Sequence, residues 1–198
     1  MFGGVRMSEL RGLERKSAQL SGEAAYLQIV QRADRYCVIG SVKSAAGRRT
    51  VDIGPETALA LRNWLLVAPK AKPKKGDLKS PPQYLFPNKN GGIWGYANFR
   101  ARFWVPLMNH CGLVTEAPAD QHIREASPGY AEFKATLFGP HMLRHVYASL
   151  QIERGVTPKR LQKLIGHSTL KMTLDTYGHL WPDDSAERAY ASAIEQAL

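Results

Sequence analysis

The sequence predicts an α+β fold, mostly helical, with a small three-stranded antiparallel sheet near the N-terminus. Three apolar, partly β-branched runs at 25–31, 35–41 and 48–53 follow one another across short polar links. That spacing suits an antiparallel meander. Beyond residue 54 apolar residues recur at helical spacing, and Gly, Pro, Ser and Thr stand where helices stop and start. A length of 198 residues with 44% apolar content suits one domain with a buried core.

Gly4 to Glu14 (GVRMSELRGLE) reads as the first helix, with Val5, Leu10 and Leu13 on a broad face. The strands AYLQIVQ, RYCVIGS and RRTVDI come next, and Lys43 stands at the mouth of the second turn. Gly54-Pro55 opens a second helix, because proline suits a first helical turn, with Leu59, Leu61, Trp64, Leu65 and Val67 as its apolar face. Pro69 to Pro82 is rich in Pro and Lys and reads as a surface loop, either simply solvated or brushing nucleic-acid phosphates. Tyr96 to Cys111 reads as a helix that Pro106 ends or kinks, and Thr115 to Lys134 as a loop.

Four helical segments close the chain. His141 to Glu153 stops at Gly155, and Thr157-Pro158 starts a helix that ends at Gly166 with Leu161 and Leu164 inward. Ser168 is the expected cap of a third segment reaching Tyr177. Asp183 to Leu198 reads as an amphipathic helix with Ala186, Tyr190, Ala193, Ile194 and Ala197 on one side.

The formal charge of +10 points to a polyanionic partner, most often nucleic acid, or else to a merely basic surface. Cys37 and Cys111 form no CxxC pair, which argues against a zinc finger or disulfide framework and for a reduced, cytoplasmic setting. No run approaches the ~20 apolar residues of a membrane span, and the N-terminus has no signal-peptide pattern.

The chemistry concentrates between His141 and His179. His141 and Arg144 are spaced to share a helix face, and an arginine fork binds two phosphate oxygens at once. His141 and His145 also have the spacing of a helical zinc site. The residues between them are Met-Leu-Arg rather than a zinc protease's Glu, and Arg144 would repel a cation, so no metal is expected. His145 alternatively packs in the core. His167 sits at a glycine–serine corner between helices, placed either to donate to an anionic oxygen or to cap a helix end. Tyr177 alone would read as core or interface. A phenol, with a pKa of about 10, becomes a useful nucleophile only where positive charge stabilises its phenolate.

Together these motifs resemble the catalytic domain of the tyrosine recombinases, the phage-integrase family. The resemblance rests on His-x-x-Arg-His at 141–145, Leu-Ile-Gly-His-Ser at 164–168 and Thr-x-x-x-Tyr-Gly-His at 173–179. It extends to Gly4-Val5-Arg6-Met7-Ser8-Glu9-Leu10 and to the turn Lys43-Ser44-Ala45-Ala46-Gly47-Arg48-Arg49-Thr50-Val51. The resemblance implies that Arg6 and Arg144 clamp the scissile phosphate and that Tyr177 attacks phosphorus to leave a 3′-phosphotyrosyl bond. It implies that Lys43 protonates the departing 5′ oxygen, that His141 assists proton movement at the tyrosine, and that His167 bonds a phosphate oxygen. Glu9 and His145 would support the site. No cofactor, metal or ATP is implied.

The implied partner is double-stranded DNA, with self-association into a synaptic tetramer in which helix 183–198 docks on a neighbour or on its own core. The family's DNA-clamping domain precedes this region. With five residues ahead of Arg6, the expectation is one catalytic domain over 1–198, its clamp domain absent and its start truncated. The functional expectation is site-specific DNA cleavage and rejoining. A non-catalytic DNA-binding remnant and relaxation of the type IB topoisomerase kind are the alternatives.

Overall fold

Gly4 sets how the chain enters the fold. Its φ is +55°, and a Cβ there would stand 2.5 Å from Cδ1 of Tyr147, so only glycine lets the chain pass. The computed structural model describes residues 3–22, 24–73, 80–115, 135–136 and 138–181. Helix α1 (Met7–Gly12) is shorter than expected at both ends, because Arg6 at the N-cap (φ −69°, ψ 147°) and Leu13 at the C-cap (φ −73°, ψ 122°) both have extended backbone. The Glu9 side chain accepts the Arg6 N–H at 3.0 Å, satisfying one of the donors a helix start leaves open.

The strands are β1 (Ala18–Gln19), β2 (Ala25–Ile29), β3 (Gln31–Ala33), β4 (Ile39–Ser41) and β5 (Arg49–Ile53). The antiparallel three-stranded sheet runs β1-β2-β5, so its third member is Ala18–Gln19 and not the expected 35–41 run. The reason is local. Oδ1 of Asp34 accepts the N–H groups of Tyr36 and Val38, and Cys37 adopts φ +66°, so the chain turns where the sequence pattern read as strand. What remains, Ile39–Ser41, pairs only with β3. In the main sheet Leu27 faces Val51 and Ile29 faces Arg49. A further two-residue pairing joins β6 (Val114–Thr115) to β7 (Ala135–Thr136).

Helix α2 (Pro55–Val67) starts at Gly54 and Pro55 as expected. Its inner face differs: Ala58 and Leu61 are buried and Leu65 packs on the same core, whereas Leu59 and Val67 are exposed. The spacing 58, 61, 65 follows the helical period; 59 and 67 fall on the other side. Helix α3 (Tyr96–Phe99) passes through a π-helical turn (Arg100–Trp104) into α4 (Val105–His110). Pro106 therefore does not end the helix. It lacks the N–H that would bond residue 102, and the widened turn lies over that missing bond.

Helices α5 (Met142–Glu153), α6 (Pro158–Ile165) and α7 (Leu170–Tyr177) follow the expected order. Thr157 caps α6 and Gly166 closes it with φ +67°. The cap of α7 is Thr169 and not Ser168: its side chain accepts the Met172 N–H at 3.2 Å, one residue later than expected. Within α6, Leu161 and Ile165 are fully buried, and Leu164 is only half-buried. Residues 74–79 of the Pro/Lys loop, 116–134 of the second loop and the 183–198 segment lie outside the described residues.

Two apolar clusters result. Leu13, Leu20, Leu27, Ile29, Val51, Leu61 and Leu85 form one under the sheet, and Ala148, Ile152, Leu161, Ile165 and Tyr177 form the other between α5, α6 and α7. Arginine side chains bridge the seam between them. Arg144 donates to Gly4 O at 2.6 Å, Arg6 to Gly166 O at 3.0 Å, and Arg49 to Leu164 O at 3.0 Å.

Candidate active site

That seam carries the residues the sequence singled out. Arg6 leaves the start of α1 with its Nη1 on Glu9 Oε1 at 2.8 Å. The other carboxylate oxygen of Glu9 takes Nη2 of Arg49 at 3.0 Å. Glu9 is 2% exposed. Burial alone would raise its carboxyl, but the hydrogen bonds and charge of Arg49, with the bonds from Arg6, outweigh that and hold it below its usual range. One carboxylate thus serves two guanidinium groups.

Arg144 lies on the inward stripe of α5 with Ala148 and Ile152, an apolar position filled by a charge. It is 3% exposed. Its Nη1 is taken by Gly4 O, while Nη2 is buried with no hydrogen-bond partner among the described residues. Burial, and then the neighbouring charges of Arg6 and Arg49, push its pKa down to about 10. A buried donor left open in a cluster of positive charge costs free energy until an anion meets it. Among the described residues Glu9 is the one acid paired within the cluster of Arg6, Arg49 and Arg144, which leaves net positive charge there, the sign an anion needs.

Tyr177 ends α7 and is 3% exposed. Its hydroxyl stands 3.0 Å from Nδ1 of His145. His141, expected at that hydroxyl, is exposed and meets His145 edge-on, ring centroids 5.0 Å apart. Four residues, one helical turn, separate the two, and the end of α7 packs against the turn that carries His145. Burial raises the Tyr177 phenol, and the charges of Arg144 and Arg6 pull it partly back. Burial, His145, Arg144 and Arg6, in that order, lower His141.

His167 lies parallel to the Tyr177 ring at 6.3 Å and bonds Thr173 Oγ1 through Nδ1 at 3.0 Å. Burial, then Arg144, Arg6, His141 and Arg49, push it down to about 4, so it is neutral near pH 7. That bond occupies Nδ1 and leaves Nε2 as the ring nitrogen for a second partner. Thr173 is fully buried and belongs to the 173–179 motif, where the sequence reading gave it no role.

Lys43 is exposed, on the turn between β4 and β5, and lines a cleft with Arg6, Ser8, Glu9, Ser44 and Ser168. It shares that cleft with Arg6 and Glu9 and makes no hydrogen bond among the described residues. Arg49 was not a sequence candidate. The signal was there: in Arg49-Thr50-Val51-Asp52-Ile53 strand alternation puts Arg49 on the buried face with Val51. Among the described residues no group of His, Cys, Asp and Glu is arranged to hold a metal, and no helix is long and apolar enough to cross a membrane.

The profile of the Phage integrase family matches residues 2–183. The chain belongs to the phage integrase family. Its relatives include the tyrosine recombinase XerC 1 of Ralstonia nicotianae, 28% identical over 171 residues, covering 86% of this chain and 44% of that protein. The transposase of transposon Tn916 from Enterococcus faecalis is 25% identical over 178 residues, 89% of this chain and 39% of that one. This integrase-family chain therefore spans less than half the length of these relatives. Its fold is shared with the Tn1549 transposon integrase solved with circular intermediate DNA, at TM-score 0.65 and 22% identity over 99% of this chain and 56% of that one. It is also shared with the XerH site-specific recombinase bound to its difH substrate, at TM-score 0.58 and 19% identity over 98% and 43%.

Proposed function

We propose that this chain is the catalytic module of a site-specific DNA recombinase or integrase, acting on double-stranded DNA through a 3′-phosphotyrosyl intermediate. The observation that carries the reading is the Tyr177 hydroxyl, held 3.0 Å from a histidine nitrogen within the field of two guanidinium groups. A phenol buried without a base or nearby cations would be inert; this one has both.

In the reaction, Arg6 and Arg144 hold the non-bridging oxygens of the scissile phosphate, and the open Nη2 of Arg144 supplies a donor aimed at developing charge. The phenol proton passes to His145, which touches the hydroxyl, and His141 receives it at the solvent edge. The Tyr177 oxygen bonds to phosphorus as the bond to the 5′ oxygen breaks, and Lys43 gives that oxygen its proton. Neutral His167 donates from Nε2 to a phosphate oxygen, oriented by Thr173. Rejoining reverses these steps. The phosphotyrosyl bond keeps the phosphodiester's energy, so ATP has no part. Residues 183–198 dock on a neighbouring copy within a synaptic tetramer.

A nicked suicide duplex tests this. The expected result is a covalent adduct that Tyr177→Phe abolishes while binding persists. Absence of any adduct from the wild type would make the chain a DNA-binding remnant. Recombinant product from two duplexes, against relaxation of a supercoiled circle alone, separates recombinase from topoisomerase-like action. Loss of paired-duplex complexes on deleting residues 183–198 tests the docking role.

A further inference from the structure

Arg49 lies outside the residues assigned to the phosphate or the tyrosine, yet its contacts join the Lys43 turn, the support of Arg6 and the helix that leads to His167. Its guanidinium donates in three directions: Nε to Leu164 O at 3.0 Å, Nη1 to Gly47 O at 3.0 Å and Nη2 to Glu9 Oε2 at 3.0 Å. Leu164 belongs to the last turn of the helix that leads to His167. Glu9 supports Arg6. Gly47 closes the short turn that begins at Lys43, and Gly47 N–H in turn bonds Ser44 O at 2.9 Å.

We infer that Arg49 is a positioning residue that sets the Lys43 turn against the phosphate clamp. The three contacts are not equivalent. Glu9 is held by Arg6 through two further bonds, 3.0 Å from the backbone N–H and 2.8 Å from Nη1, so the clamp keeps its carboxylate without Arg49. Gly47 O and Leu164 O receive no other side-chain bond among the described residues. Packing points the same way. A Cβ at Gly166 would lie 2.8 Å from Arg49 Nη1 and 3.0 Å from Ala46 O, so the Lys43 turn, the Arg49 fork and the His167 corner meet with no spare space. Lys43 itself is exposed on a turn and makes no hydrogen bond of its own among the described residues. Its place over the leaving oxygen therefore depends on what anchors residues 44–47, and that anchor is Arg49. A lysine at 49 keeps the charge but not three directed bonds from a planar fork.

The inference rests on the reading of Lys43 as general acid, and one substrate separates the two. With ordinary DNA the 5′ oxygen departs only as it takes a proton. With sulfur in that bridging position the P–S bond breaks to a thiolate, whose conjugate acid has a pKa of about 8.5, and no proton donor is needed. Adduct formation is timed on matched oxygen and 5′-bridging sulfur duplexes for the wild type and for the Lys43→Ala, Arg49→Lys, Arg49→Gln and Arg6→Ala variants. The sulfur-to-oxygen rate ratio is taken within each variant, so the folded fraction cancels.

The expected result is a ratio raised by roughly 10²-fold or more in Lys43→Ala, the usual worth of a positioned proton donor. Both Arg49 variants should show a rise of the same order, and Arg6→Ala none. A ratio in both Arg49 variants equal to wild type, with Lys43→Ala raised, refutes the positioning role and makes Arg49 a folding or clamp residue. An unchanged ratio in Lys43→Ala refutes the acid assignment and the inference with it.

Discussion

Replacing Glu9 by glutamine removes one charge and almost no volume, so the outcome reads the electrostatics of the seam. The Glu9 side chain is 3% exposed and that of its partner Arg49 6%, so this pair is out of water. Arg6 is 29% exposed, and its share is the smaller, about 1 kcal/mol or less. Removing one partner of a buried pair costs about 3–5 kcal/mol, because the remaining charge is left uncompensated. A glutamine with its oxygen in the Oε2 place keeps two of the three bonds, those from the Arg6 N–H and Arg49 Nη2, but its NH₂ then faces Arg6 Nη1, donor against donor, so the lower end, about 3 kcal/mol, is the expected loss. For a chain of this size each kcal/mol moves Tm by about 2–4 °C, giving a fall of roughly 6–12 °C.

Calorimetric melts without DNA measure it. The pH dependence has a definite sign. A carboxyl held below its ordinary value of 4.5 contributes stability above that pH, which is lost as the pH falls through the lowered native value. Glu9→Gln should flatten that acid limb. A fall in Tm of under about 3 °C at pH 7 would show that the pair is compensated elsewhere and refute the account of Glu9 as the single acid beneath the cluster.

Other consequences are measurable in the same way. His167 is lowered from 6.5 to about 4, so it favours the native state when neutral: that stability is complete above pH 6.5 and is lost as the pH falls toward 4, about 3 kcal/mol at most. His167→Gln should remove the part of the acid-side Tm decline between those values, and an unchanged decline would place it elsewhere. Thr173→Val deletes the partner of Nδ1 and should slow adduct formation by roughly 10-fold, the worth of one hydrogen bond, with DNA binding kept. Arg144→Ala should cost about 3–4 kcal/mol of transition-state stabilisation in single-turnover cleavage; near-normal rates would remove it from the clamp. Gly166→Ala forces a Cβ into the left-handed region and against Arg49 and Ala46, and urea melts should show a loss of at least about 1–2 kcal/mol.

Much of the fold was legible because its signals are local. Thr157-Pro158 and Gly166 mark the ends of α6 through φ preferences and open backbone groups that no distant contact overrides. The strand read at 35–41 misled for a reason also local but of opposite sign: Asp34 bonds Tyr36 and Val38 and bends a run whose composition favours a strand. The α2 face was misread because its apolar residues outnumber the buried ones; Leu59 and Val67 are as apolar as Leu61 but point outward.

The sequence by itself singled out most of the side chains proposed for the chemistry, since a phosphate clamp, a proton donor and a nucleophile need particular residue types in a recognisable order. The tertiary structure decided which atom meets which. Helix docking put His145 rather than His141 at the Tyr177 hydroxyl, 3.0 Å away. Sheet register turned Arg49 inward to Glu9, and burial left Nη2 of Arg144 without a partner among the described residues. Residue type travels with the chain, but distance, desolvation and the pairing of charges exist only once elements far apart in sequence are packed together.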